Sequence, residues 1–238
     1  ATAAGLVNLY VAGQRVRAVV VASATADAVA TSLAAAVNAA VELPVTATAA
    51  AGVVTLTAKF KGDLGNDIRV QLNRLGRTNG EVTPAGLTLV ATAMTGGAGT
   101  PEIAQALAAL GDEEFEFIAQ PWTDTTTLNA WQATMDDSAG RWSWAKQLYG
   151  HVYSAQRGTL GQQVAAGRLR NDPHVTIHSF EAGVPQPAWE VAAAWMARTA
   201  VFISADPARP TQTGALTGID PAEASDRYLL TQRQSLLT

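Results

Sequence analysis

The sequence predicts two folded parts of different class. A β-rich α+β domain spans residues 1–95, and an α/β core domain with three layers spans 96–238. Three observations carry this. All six tryptophans lie beyond residue 120, whereas the first 95 residues have none and are rich in Thr, Val, Ala and Gly. The first part reads as strands around a single helical stretch. The second alternates helix and strand, as parallel βαβ units do.

The elements follow in order. LVNLYVA (6–12) and RVRAVVVA (15–22) flank Gly13-Gln14, a hairpin signal. In the second strand Val16, Ala18 and Val20 share one face, while Arg15, Arg17, Val19 and Val21 share the other. In TADAVATSLAAAVNAA, residues Val29, Leu33, Val37 and Ala40 recur at helical spacing and form one apolar stripe. PVTATAAAGVVTLTAKF reads as two strands around Ala51-Gly52, and DIRVQLN (67–73) and GLTLVATAM (86–94) supply two more. One helix on a mainly antiparallel sheet results.

In the second part a helix is expected over 101–110, with Thr100 as cap and Pro101 as first helical residue. FEFIAQ (115–120) is a strand, and a helix follows from Asp124, its cap, to Ser138. GHVYSA is a strand, 159–169 a helix, HVTIHSF a strand and 187–204 a helix. Three strands are few for such a sheet. The segment from Ala208 onwards has turn chemistry and then a short apolar end.

Composition excludes several functions. The chain has no cysteine, which removes disulfides, zinc–thiolate sites and thiol catalysis. With a net charge of −4 and no basic run, it lacks the footprint of a nucleic-acid groove. The most apolar helix, 188–204, holds Glu190 and Arg198, so no membrane insertion is expected. No leader pattern of a charged segment and an apolar run stands at its start.

Candidate sites all have plain structural readings. MTGGAGTPEIAQALAAL (94–110) has no lysine for a Walker loop, and Glu102 stands where a dinucleotide fingerprint needs its third glycine. It reads as a joint. Asp63, Asn66 and Asp67 in KGDLGNDI read as a turn, since the spacing does not match an EF-hand. His174 and His178 share a strand face about 13 Å apart, too far to share one metal, and His151 begins another strand. Ser154, Ser179 and Ser204 lie outside any G-x-S-x-G elbow. Glu113, Glu114 and Glu116 read as a solvated edge. No catalytic, cofactor-binding or metal-binding residue is therefore assigned, and no cofactor is expected.

In the last long helix Trp189, Ala193, Met196 and Ala200 form one apolar face, and Val191, Trp195 and Phe202 lie towards another. Such a helix is buried in the core, or it covers its own domain on one side and a partner on the other. Trp142 and Trp144 in RWSWAKQ read as core residues.

Four stretches carry a family resemblance: GLVNLYVAGQRVRAVV with LPVTATAAAGVVTLTAKFKGDLGNDIRVQLN; AMTGGAGTPEIAQALAALGDEEFEFIAQPWTD; GHVYSAQRGTL; and DPARPTQT with DRYLLTQRQSLL. In this order they resemble the contractile-tail sheath proteins of Mu-like phages and prophages. The resemblance implies a structural, non-enzymatic subunit of the virion tail, assembled in the bacterial cytoplasm. It implies neighbouring sheath subunits, the tail tube, the baseplate and the tail terminator as partners. It also implies a subtilisin-like core interrupted by a β-rich insertion, with the GGAG stretch as the return. Relatives are longer at both ends, so a monomer without the arms that link subunits is expected. An α/β hydrolase-like enzyme and a binding module on the first 95 residues are the alternatives.

Overall fold

Gly5–Val11 (β1) and Gln14–Val20 (β2) pair antiparallel with Val11 opposite Gln14, so the two-residue loop is Ala12-Gly13. The expected loop was one residue later. Both loop residues have positive φ, 52° and 80°. A primed hairpin turn demands this, and glycine meets it most easily at the second position. Val16, Ala18 and Val20 point inward with Val7, Leu9 and Val11 from β1, all buried. Val19 and Val21 point outward beside Arg15 and Arg17.

The helix Ala26–Ala39 (α1) starts at Thr25, whose hydroxyl accepts from Ala28 N at 3.2 Å. It buries Val29, Ala30, Leu33, Ala34 and Val37. Val45–Ala50 (β3) and Val53–Ala58 (β4) form a hairpin around Ala51-Gly52, again with positive φ at both. Asn38 imitates a strand partner, its side chain donating to Ala47 O and accepting from Ala47 N, each at 2.8 Å. Val70–Leu72 (β5) completes a sheet of order β2-β1-β5. It stops at Asn73, which turns into positive φ.

The strand expected over 86–94 does not form, since no ladder pairs it among the described residues. Exposure still alternates there: Leu87 and Leu89 are half-buried, Thr88 and Val90 exposed. Alternation specifies which face is apolar, but a strand also needs a partner edge.

In this computed structural model the described residues are 1–208 and 214–236, and the chain divides into two units, Ala1–Gly99 and Thr100–Thr238. In the second unit Ala104–Ala109 (α2) begins later than expected. Thr100 is not its cap; Ile103 precedes it and, like Leu107 and Leu110, packs against the cluster of Trp131, Met135 and Val152. Short helices hold where packing holds them, and these contacts begin at Ile103. Phe117–Ala119 (β6), Thr125–Met135 (α3), His151–Gly158 (β7), Leu160–Arg168 (α4), Val175–Glu181 (β8) and Ala188–Ala205 (α5) follow, with a short helix Leu230–Gln234 (α6) near the end. Part of the turn chemistry expected after Ala208, at 209–213, lies outside the described residues.

The order β6-β7-β8 is parallel throughout. On one face Val152 packs with Trp131 and Met135 of α3 and Leu107 of α2. On the other, Ala155 and Phe180 pack with Val191 and Ala192 of α5. Helices thus cover both faces, as parallel strands require.

Candidate functional site

The glycine stretch and the KGDLGNDI turn, separate in sequence, meet in the first unit. Asp63–Asp67 makes one tight 3-10 turn. From it Asn66 donates to Gly97 O at 2.8 Å and accepts from Gly97 N at 2.9 Å, while Asp63 N donates to Gly99 O at 3.0 Å. A Cβ on Gly97 would lie 2.5 Å from Gly62 O, so glycine is needed for this approach. A phosphate cradle presents free N–H groups to its ligand. Here Gly97 N–H is already bonded to Asn66. The loop grips the turn of its own unit.

The histidines go to separate environments. His174 lies flat on Trp142 at 4.5 Å between ring centroids and contacts Asp137 at 3.0 Å. His151 contacts the Thr176 hydroxyl at 2.8 Å. Burial, with His174 nearby, pushes its imidazole below the usual range, against a pull upward from Asp172. His178 stacks on Trp195 at 4.9 Å, and burial holds it low against Glu181. Among the described residues no three of His, Asp and Glu gather closely enough to hold a metal ion.

The serines do not assemble a triad either. Ser154 is fully buried in β7 and accepts a hydrogen bond from the Gln120 amide. Ser179 is half-buried in β8, and Ser204 is exposed on α5. None bonds a histidine or carboxylate among the described residues. Glu113, Glu114 and Glu116 are exposed. No helix among the described residues is long and apolar enough to cross a membrane.

The tryptophan pair splits. Trp142 is half-buried, its indole N–H donating to Gly150 O at 2.8 Å. Trp144 is not a core residue, because it is 87% exposed. The cause is Arg141, which sequence reasoning passed over. Its buried guanidinium donates to Gly111 O at 2.8 Å and to Glu113 O. The backbone then closes tightly, with Arg141 N on Thr134 O and Leu148 N on Arg141 O. Gln147 takes a positive φ of 52°. The loop is fixed, and Trp144 is held at its outside. An arginine between glycine and tryptophan, in a chain only 15% charged, was the available signal.

Helix α5 keeps two faces. Ala188, Val191, Ala192 and Thr199 are buried against the sheet. Trp189, Met196 and Ala200 are half-buried, Ala193 is exposed, and Val201 is 64% exposed. Among the described residues neither unit brings together a nucleophile, a base and an oxyanion pocket. What the geometry presents is a packed interior with shaped, partly apolar surfaces.

Comparison with known proteins gives the same direction. A family model described as the phage tail sheath protein central domain matches residues 96–238. A curated relative, the Mu-like prophage FluMu tail sheath protein of Haemophilus influenzae, is 37% identical over 237 residues. The match covers 100% of this chain and 47% of the relative, so the chain spans about half its length.

Proposed function

The chain belongs to the phage tail sheath family, and from that premise we propose that it forms a structural part of the contractile sheath. In this reading the sheath surrounds the tail tube and contracts to drive it through the host envelope. The observation that carries it is the family match across the whole parallel-sheet unit. Neighbouring sheath subunits, the tube, the baseplate and the tail terminator are its partners, in the virion and during assembly in the host cytoplasm.

Residues 96–238 form the core in this reading, a part of a subtilisin-like sheet, and 1–95 form a β-rich insertion at the periphery.

The work is mechanical. Contraction runs downhill if subunits gain contact free energy between two discrete packings. A well-packed interior transmits such sliding because it is not continuously deformable. No bound fuel is needed.

The test is negative-stain electron microscopy of the full-length product containing this chain, expressed alone. Regular hollow tubes are expected. Only soluble monomers, across several salt conditions, would overturn the reading. The 238-residue chain by itself is expected to scatter light as a monomer, and a stable hexameric ring would contradict that.

A further inference from the structure

We propose that the second unit carries a head-to-tail contact between copies of this chain. The acidic, Trp144-bearing end of one sheet docks at an arginine-lined cavity near the far end of the sheet in the next copy. The inference rests on the sheath reading and deepens it by locating one contact between subunits.

A parallel sheet has two unlike ends, since all its strands begin at one and finish at the other. The loops before β6 and β7 lie at the first end. They carry exposed Asp112, Glu113, Glu114 and Glu116 on one loop and exposed Trp144 and Lys146 on the other. Arg141 ties the two loops together through Gly111 O and Glu113 O. The result is two tied loops at one end of the sheet, one carrying exposed carboxylates and the other an exposed indole. Burying a tryptophan at an interface contributes more than most side chains, provided it finds a pocket.

A cavity of about 430 Å³ lies beside Glu181, the last residue of β8. His178, Trp195, Leu216, Arg227 and Arg233 also line it. Two arginine side chains face a single carboxylate: Arg233, and Arg227, whose Nε donates to Ala222 O at 2.8 Å, while Glu181 already accepts from Tyr228 N at 3.4 Å. The indole N–H of Trp195 is buried without an acceptor among the described residues. A buried donor left unpaired is costly, so the fitting occupant brings acceptor oxygens. Leu216, Pro221 and Ala222 add apolar wall for a ring. Exposed carboxylates on one loop and an exposed indole on the loop tied to it meet both demands, and the same unit carries them at its opposite end. Two different patches make the contact heterologous, so it does not close on a pair and can repeat in a row.

One such contact is weak in dilute solution, so the experiment traps it. The chain has no cysteine, which allows single cysteines to be placed at exposed Ala145, beside Trp144, and at Leu230, which is 73% exposed on α6. Mixed and oxidised, A145C and L230C are expected to form the mixed disulfide about tenfold faster than either variant pairs with itself, because the patches attract. Adding W144A to the first or R233E to the second returns the rate to that background. Combining E114R on the first with R233E on the second restores it, which an unfolded variant would not do. Equal self-pairing, no mixed product, or indifference to W144A and R233E would overturn the contact. Tubes from the full-length product with no mixed disulfide would overturn this contact alone. A mixed disulfide without tubes would uphold the contact and count against the sheath reading.

Discussion

Replacing Glu81 by Gln tests the packing of the first unit at its most constrained polar group. Glu81 is only 4% exposed. Its Oε1 accepts from the Tyr10 hydroxyl and from Arg15 Nη1 at 3.3 Å, and its Oε2 accepts from Leu75 N at 2.9 Å. Burial pushes this carboxyl up, but the bonds from Tyr10, Leu75 and Arg15 outweigh it and hold it below the ordinary 4.5. Gln keeps the volume but turns one acceptor into a donor, so one buried donor faces another. An orphaned buried donor costs about 1–3 kcal/mol, and lost charge assistance brings the total to roughly 2–4 kcal/mol. For a domain of this size that lowers Tm by about 8–30 °C. Y10F removes a donor and leaves the carboxylate two others, so it costs about 1.5–2 kcal/mol, low in the range for a bond to a charged group. The assay separates the units by spectroscopy. The first holds no tryptophan and the second holds all six. Tryptophan emission therefore follows the second unit, and the far-ultraviolet circular dichroism transition, which senses both, reveals the first by difference. The sign in pH is fixed too. A depressed carboxyl stabilises above its unfolded value, so this contribution fades as pH falls below 4.5 and is lost through the folded value. A dichroism transition for E81Q within about 2 °C of the parent, or Y10F as damaging as E81Q, would refute the reasoning.

The remaining predictions concern the second unit and the joint. His178 is held below its ordinary 6.5, so the unfolded chain takes up its proton first and stability falls as pH drops below 6.5. H178Q should flatten that slope in urea midpoints followed by tryptophan emission, and an unchanged slope would reject the assignment. Met135 is fully buried among Trp131 and Val152, so M135A should cost about 2–5 kcal/mol in the same assay; less than about 1 would mean the site collapses around the loss. Gly167 sits inside α4 with open space where a Cβ would go, so G167A should stabilise by about 0.5–1 kcal/mol. G97A should instead lower stability in circular dichroism, because its Cβ would meet the Gly62 carbonyl at 2.5 Å.

Local physics was legible in the sequence. Of the expected stripe, Val29, Leu33 and Val37 are buried on α1 while Ala40 falls just past its end, Asp124 caps its helix as expected, and Thr159, expected as the first helical residue, caps the next through a reciprocal bond with Gln162. These features depend on neighbours within one or two turns, which spacing reports directly. What escaped depends on distant partners. Glu81 meets Tyr10 across 71 positions, and Arg141 reaches Gly111 across 30. The stretch at 86–94 has strand composition but pairs with no strand among the described residues. Trp144 reads as core by its type, yet a bond from a buried arginine turns it outward.

These misreadings share a cause that bears on function. Periodicity marks residues used to build the interior of their own unit. Residues that break the pattern, such as exposed Trp144 and Val90 or the second face of α5, are surplus to that interior. A monomeric protein can scatter such residues singly over its surface. A subunit that works by exchanging one packing for another needs them, because free energy released between subunits must come from surface left unspent within each. The fixed Arg141 loop fits this requirement better than a mobile one. Ordering a flexible loop at each contact would consume part of the gain in conformational entropy, whereas in the proposed contraction a loop already held by its own hydrogen bonds would deliver the contact energy to the movement.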